Sequence, residues 1–128
     1  MIVLDTHTWL WWETDRGKLS ELGRAAIEGA SELGVSAVTL YEMARLSATG
    51  RIRPQPDIGL WLEQTLSLSN VQSLPITAAI AARAAGFDRS MPGDPADRLI
   101  AATALEHHAT LVTKDRRLLA IPELNAIW

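Results

Sequence analysis

The sequence predicts an α/β fold, a central parallel β-sheet flanked by α-helices, in one domain spanning residues 1–128. Three observations carry this expectation. Short apolar runs rich in β-branched residues alternate with longer helical segments along the chain, the pattern of successive βαβ units. Apolar residues make up 48% of the 128 residues, enough for one core. No internal repeat or low-complexity segment interrupts the alternation.

Each element has its own signal. Ile2-Val3-Leu4 is a short buried strand ending at an acid, Asp5. Trp9 to Trp12 fall on a short helix. Ser20 is placed to cap a helix over about 21–30. Gly34 to Val38 read as a second strand, after which Thr39 caps a helix that reaches Ala48 and stops at Gly50. Pro54 and Pro56 make 51–59 a loop, followed by a helix over about 60–68. Val71 to Leu74 form a third strand, closed by Pro75. Thr77 caps an Ala-rich helix ending at Gly86, and 90–93 form a loop. Asp94-Pro95 starts a helix running to about His107, apolar nearly all round and therefore buried on several sides. Thr110 to Thr113 are a fourth strand, and 126–128 a weak last one.

Composition narrows the function classes. The chain has no cysteine, which excludes disulfides and thiolate metal sites and fits a reducing cytoplasm. The N-terminus lacks the basic and apolar regions of a signal peptide, and no apolar run approaches the ~20 residues of a membrane helix, so no membrane association is expected. A net charge of -3 argues against coating nucleic acid by charge alone. It leaves room for an acidic pocket with basic edges. Arg45, Arg51 and Arg53 form one stretch without an acid; Arg98, Lys114, Arg116 and Arg117 stand beside acids. Each is a phosphate candidate or a solvated surface charge.

Four acids stand where such a sheet binds ligands, beyond the carboxyl ends of its strands. Asp5 ends the first strand. Glu42 is expected on the first turn of the helix after the second strand, Asp97 on the first turn of the helix before the fourth, and Asp115 just past the fourth. Carboxylates converging on one rim repel and couple their proton affinities, and a divalent cation relieves this. Oxygen ligands without cysteine favour Mg²⁺ or Mn²⁺, which serve in-line phosphodiester hydrolysis. Three of the acids also have a structural reading. Thr39 to Glu42 match a capping box, Asp94 to Asp97 make a good helix start, and Asp115 can open a turn. For Asp5 function is the favoured reading over a structural one, because a strand-end acid gains nothing obvious from burial.

Leu4-Asp5-Thr6, Ser36 to Glu42, Asp97-Arg98-Leu99-Ile100-Ala101-Ala102-Thr103-Ala104 and Leu111-Val112-Thr113-Lys114-Asp115 resemble, in order and spacing, the four motifs of PIN-domain ribonucleases. The likeness covers essentially the whole chain. The opening Leu4 to Thr8, with Trp11-Trp12 and Gly93 to Arg98, is similar to a bacterial VapC-type toxin subgroup, in which a His commonly precedes Gly-Asp-Pro; here Pro92 stands there.

The resemblance implies a PIN fold, a homodimer, and an endoribonuclease dependent on Mg²⁺ or Mn²⁺. It assigns Asp5, Glu42, Asp97 and Asp115 to catalysis and metal binding, Asp5 and Asp97 most directly. It further implies an RNA substrate, tRNA being one option, and a VapB-like antitoxin partner. Asp94 reads as a cap rather than a ligand. Thr6 and Thr113 are candidates to hydrogen-bond a carboxylate or a metal-bound water. His7 can meet the scissile phosphate or make a local contact. Trp9 and Trp12 share a helix face, with Trp11 pointing elsewhere; one of the three is expected to pack on the sheet, and the others are candidates for a dimer or antitoxin contact or a stacked base, with core packing favoured over RNA stacking. The alternatives are an RNA-processing nuclease without an antitoxin, a non-catalytic PIN-like binding module, and an aspartyl-phosphate enzyme; a dehalogenase-like phosphatase needs an Asp where His7 stands.

Overall fold

A computed structural model describes residues 1–128. Its five strands are β1 (Ile2–Leu4), β2 (Leu33–Ser36), β3 (Val71–Leu74), β4 (Thr110–Val112) and β5 (Ala126–Ile127). They form one parallel sheet in the order β3-β2-β1-β4-β5. The helices are α1 (Thr6–Thr14), α2 (Glu21–Glu28), α3 (Ala37–Ala48), α4 (Ile58–Leu68), α5 (Ala78–Gly86), α6 (Pro95–Glu106) and α7 (Arg116–Leu119). The α/β class expected from the alternation is the one observed.

Strand alternation divides the core into two layers, because successive side chains leave a strand on opposite faces. Val3 and Leu111 join Ile100, Ala101 and Leu118 on the face covered by α6 and α7. Leu4, Val112, Leu33 and Val35 join Trp9, Trp12, Ile27 and Met43 on the other face. Between the last two strand positions, Gly34 leaves room for Leu74: a Cβ there would lie 2.6 Å from Leu74 Cδ1. Helix α6 is enclosed as its composition predicts, with Ile100, Ala101, Ala102 and Ala104 fully buried; Ala102 packs against Ile80 and Ala84 of α5.

Both long central helices end in a left-handed residue that satisfies their last carbonyls. After α3, Gly50 has φ 74°, with Arg51 N donating to Leu46 O at 2.9 Å and Gly50 N to Ser47 O at 3.0 Å. After α6, His108 takes the same role at φ 50°, with Ala109 N donating to Ala104 O at 2.9 Å.

The structure corrects several boundaries. Helix α1 begins at Thr6, directly after Asp5, rather than near Trp9. Strand β2 ends at Ser36 and α3 starts at Ala37, so Thr39 is not a cap but a fully buried residue of the first turn. The capping box read at Thr39 to Glu42 therefore does not form, and Glu42 lies on the second turn of α3, not the first. A 3-10 turn (Arg16–Lys18) and the four-residue α7 carried no periodic signal.

Candidate active site

The carboxyl ends of β1, β2 and β4 share one rim, and the local start of each following element aims an acid at it. Asp5 leaves β1 as the N-cap of α1. Its Oδ1 accepts a hydrogen bond from Thr6 N at 2.7 Å, and its Oδ2 accepts one from Thr113 Oγ1 at 2.7 Å. Burial pushes its carboxyl above the usual range; the bonds from Thr113 and Thr6 pull it part of the way back.

Thr113 is fully buried and links two of the acids, since its Oγ1 also accepts from Asp115 N at 3.0 Å. Glu42 reaches from α3 toward α1, where Thr6 Oγ1 donates to Oε1 at 2.6 Å. Burial raises this carboxyl too, against the Thr6 bond, and the charges of Asp5 and Asp94 add to the rise.

Asp97 sits in the first turn of α6. Asp94 is the N-cap, accepting from Ala96 N at 2.8 Å with Pro95 at the first helical position, as its sequence context predicts. Burial, and then the charges of Asp94, Asp5 and Asp115, push the Asp97 carboxyl from 3.8 up to about 7. Asp115 caps α7, with Oδ1 accepting from Arg117 N at 2.8 Å. The Arg117 guanidinium holds the Asp115 carboxyl below the usual range, through Nη2 to Oδ2 at 2.7 Å and Nε to Oδ1 at 3.1 Å. The same Nη2 reaches Asp97 Oδ2 at 3.2 Å.

All four predicted acids thus border the rim, in two linked groups. Thr113 ties Asp5 to Asp115, Arg117 ties Asp115 to Asp97, and Glu42 stands across Thr6. No three histidine or acid side chains lie within reach of one ion. The donor chemistry nevertheless fits a hard divalent cation: the ligands are carboxylate oxygens, and three of the four carboxyls are raised by buried, under-compensated negative charge. The link that Arg117 makes between Asp97 and Asp115 is what sequence reasoning missed, having read the residue as a phosphate candidate or a solvated surface charge. A cleft of about 240 Å³ adjoins one of the acids, Glu42, and is lined by Thr6, His7, Arg45 and Arg51 as well. Acid chemistry and a cationic wall meet there, an arrangement suited to a phosphodiester.

Comparison with known proteins agrees with this fold. The family model of the PIN domain matches residues 2–124. Over 117 residues the chain is 44% identical to ribonuclease VapC22 of Mycobacterium tuberculosis, covering 91% of this chain and 88% of that protein. VapBC2 of Rickettsia felis, solved bound to a DNA fragment from its promoter, superposes with a TM-score of 0.72 at 19% identity, covering 99% of this chain and 98% of that one. VapBC-1 of nontypeable Haemophilus influenzae also gives a TM-score of 0.72, at 20% identity, covering 99% of this chain and 97% of that one.

Proposed function

The chain belongs to the PIN domain family, and from that premise we propose that it is a metal-dependent endoribonuclease, the toxin of a VapBC-type toxin–antitoxin pair that inhibits translation. The observation that carries the reading is the set of raised carboxyls: Asp5, Glu42 and Asp97 are held at one rim in settings that disfavour their charged forms. Perturbed acids beside a cleft mark a functional site more often than a structural one. The relative in Mycobacterium tuberculosis is a ribonuclease, which supports RNA as substrate. Toxin–antitoxin complexes among the structural neighbours support a VapB-like partner.

In this reading Asp5 and Asp97 hold Mg²⁺ or Mn²⁺ most directly, and Glu42 and Asp115 orient the attacking water. When bound, the ion polarises a phosphate oxygen and lowers the proton affinity of water. The protein's own part is orientation. Thr6 and Thr113 spend their hydroxyl protons on Glu42 Oε1 and Asp5 Oδ2, which fixes both carboxylates against rotation. Arg45 and Arg51 present positive charge to the RNA backbone along the cleft. A structured RNA such as tRNA is the target we favour, in the cytoplasm, with the chain acting as a homodimer. No helix is long and apolar enough to cross a membrane.

The test is cleavage of total RNA by the partner-free protein in Mg²⁺, Mn²⁺ or EDTA, with Asp5→Asn as control. Discrete, metal-dependent products that vanish in the variant are expected. Cutting that persists in EDTA or in Asp5→Asn would sink the reading.

A further inference from the structure

Of the four tryptophans on α1 and α4, two are core residues: Trp9 is fully buried and Trp12 nearly so. Trp11 is not. It points off the other side of α1 and stands outside the core clusters. Its neighbours are His7, one turn earlier, with ring centroids 5.8 Å apart, and Trp128, also at 5.8 Å. The two rings are tilted from it by 52° and 60°, so neither lies flush on its face. Lys114 Nζ hangs 5.7 Å from the Trp11 ring and 6.0 Å from the Trp128 ring.

The backbone ties this aromatic group to the acids. His7 is two residues after Asp5, and Lys114 immediately precedes Asp115. Trp128 is held at the end of β5 by the bond from Thr113 N to Ile127 O at 3.0 Å. On its far side Trp11 lines a cavity of about 490 Å³ that also has Lys18, Arg51 and Arg53 in its wall and no acid. Arg51 is shared with the cleft beside Glu42. Cations thus flank a half-buried indole next to an acidic rim, in a chain whose net charge is negative. That complementarity selects a polyanion carrying flat rings.

We propose that Trp11, with Trp128 and Lys114, forms a nucleotide subsite, in which an unpaired RNA base beside the cut bond stacks on the indole and Lys114 and Arg51 take the adjacent phosphates. This rests on the ribonuclease reading and adds to it a requirement for single-stranded substrate at that position. Stacking of this kind tolerates any base, because each has a π-face. Selectivity then lies in whether the strand is unpaired, as in a loop, rather than in base identity.

The test separates binding from cutting. Anisotropy of a labelled oligoadenylate is measured in EDTA and low salt, where metal-dependent hydrolysis is suppressed, beside cleavage of total RNA by the wild type in Mn²⁺. Trp11→Ala is expected to weaken binding about tenfold, while Trp11→Phe, which keeps a ring face, stays within about threefold of wild type. Lys114→Ala, at an exposed position that should not disturb folding, is expected to lower the salt slope of binding by about one. Wild-type binding by all three variants overturns the subsite. So does equal loss in Trp11→Ala and Trp11→Phe, which would show that the ring face is not what holds the RNA. Intact RNA binding together with lost binding of a VapB-like protein in Trp11→Ala also overturns it, and makes the surface a protein contact. The expected binding pattern in a wild type that cuts no RNA supports the subsite and strikes the nuclease reading alone.

Discussion

Arg117 joins Asp97 to Asp115: one terminal nitrogen lies 3.2 Å from Asp97 Oδ2 and 2.7 Å from Asp115 Oδ2. The two acids come from the starts of different helices, and the guanidinium stands where positive charge is most needed. It lowers the Asp115 carboxyl and only partly offsets the rise at Asp97. The chain therefore carries its own counterion at the rim, one that the proposed divalent cation would have to compete with or displace.

Arg117→Ala should accordingly bind Mn²⁺ more tightly, by about fivefold, the modest effect expected of an exposed ion pair. Titration calorimetry of the partner-free protein reads this directly. Weaker binding in the variant would mean that Arg117 helps to organise the ligands instead of competing for them.

The raised Asp97 carboxyl makes stability depend on pH with a definite sign. Between about pH 4 and 7 the folded chain keeps a proton that the unfolded chain has released, so stability falls as pH rises through that window. Asp97→Asn removes this dependence. After allowing for solvent screening of a partly exposed group, the variant should gain about 1–2 kcal/mol at roughly pH 8 and almost nothing near pH 4. Urea unfolding of the metal-free proteins at the two pH values tests it, and an equal effect at both would contradict the assignment.

Asp5→Asn should separate stability from activity. The amide keeps an oxygen for Thr6 N while shedding a charge that burial disfavours. We expect cleavage to fall by more than about a hundredfold while the unfolding midpoint stays level or rises, the trade expected where a site holds charge at a cost in stability. A variant that loses both together would instead make Asp5 a residue of the fold.

Arg98 holds the segment that leads into α6. Its guanidinium donates to the carbonyls of Ala84, Phe87, Asp88 and Pro92 at 3.3, 3.0, 3.1 and 2.9 Å. Arg98→Ala removes all four of these bonds, leaving Asp88 O only Met91 N at 3.3 Å, and should cost about 2–3 kcal/mol. Lysine rescues little, because a point charge cannot span four carbonyls. Hydrogen exchange should quicken across 84–94 first; uniform quickening over the whole sheet would contradict a local clamp.

Much of this was legible in the residues. Strand alternation places Val3 and Leu4 in different core layers, and Asp5 at the end of a buried strand has no role in the core. Asp94 capping α6 and the packing of an α1 tryptophan in the core also follow from local pattern. What escaped was set by tertiary contact. Thr39 looks like a cap in sequence, yet α3 begins at the strand end and packs Thr39 beside Thr6, with their hydroxyl oxygens 3.4 Å apart. Arg117 meets Asp97 across 20 positions of chain, and α7 is too short for any periodicity to show.

The position of β1 in the middle of the sheet has a consequence for how the chain is made. The ribosome releases β1 first, but its neighbour β4 lies more than a hundred positions later, and the Asp5–Thr113 bond spans 108. At about 5–20 residues per second, the first strand waits on the order of 5–20 s for that neighbour. The rim acids cannot assemble on a nascent chain in that interval. The proposed site is therefore completed only once Thr113 and Asp115 have been made and have packed beside the waiting first strand.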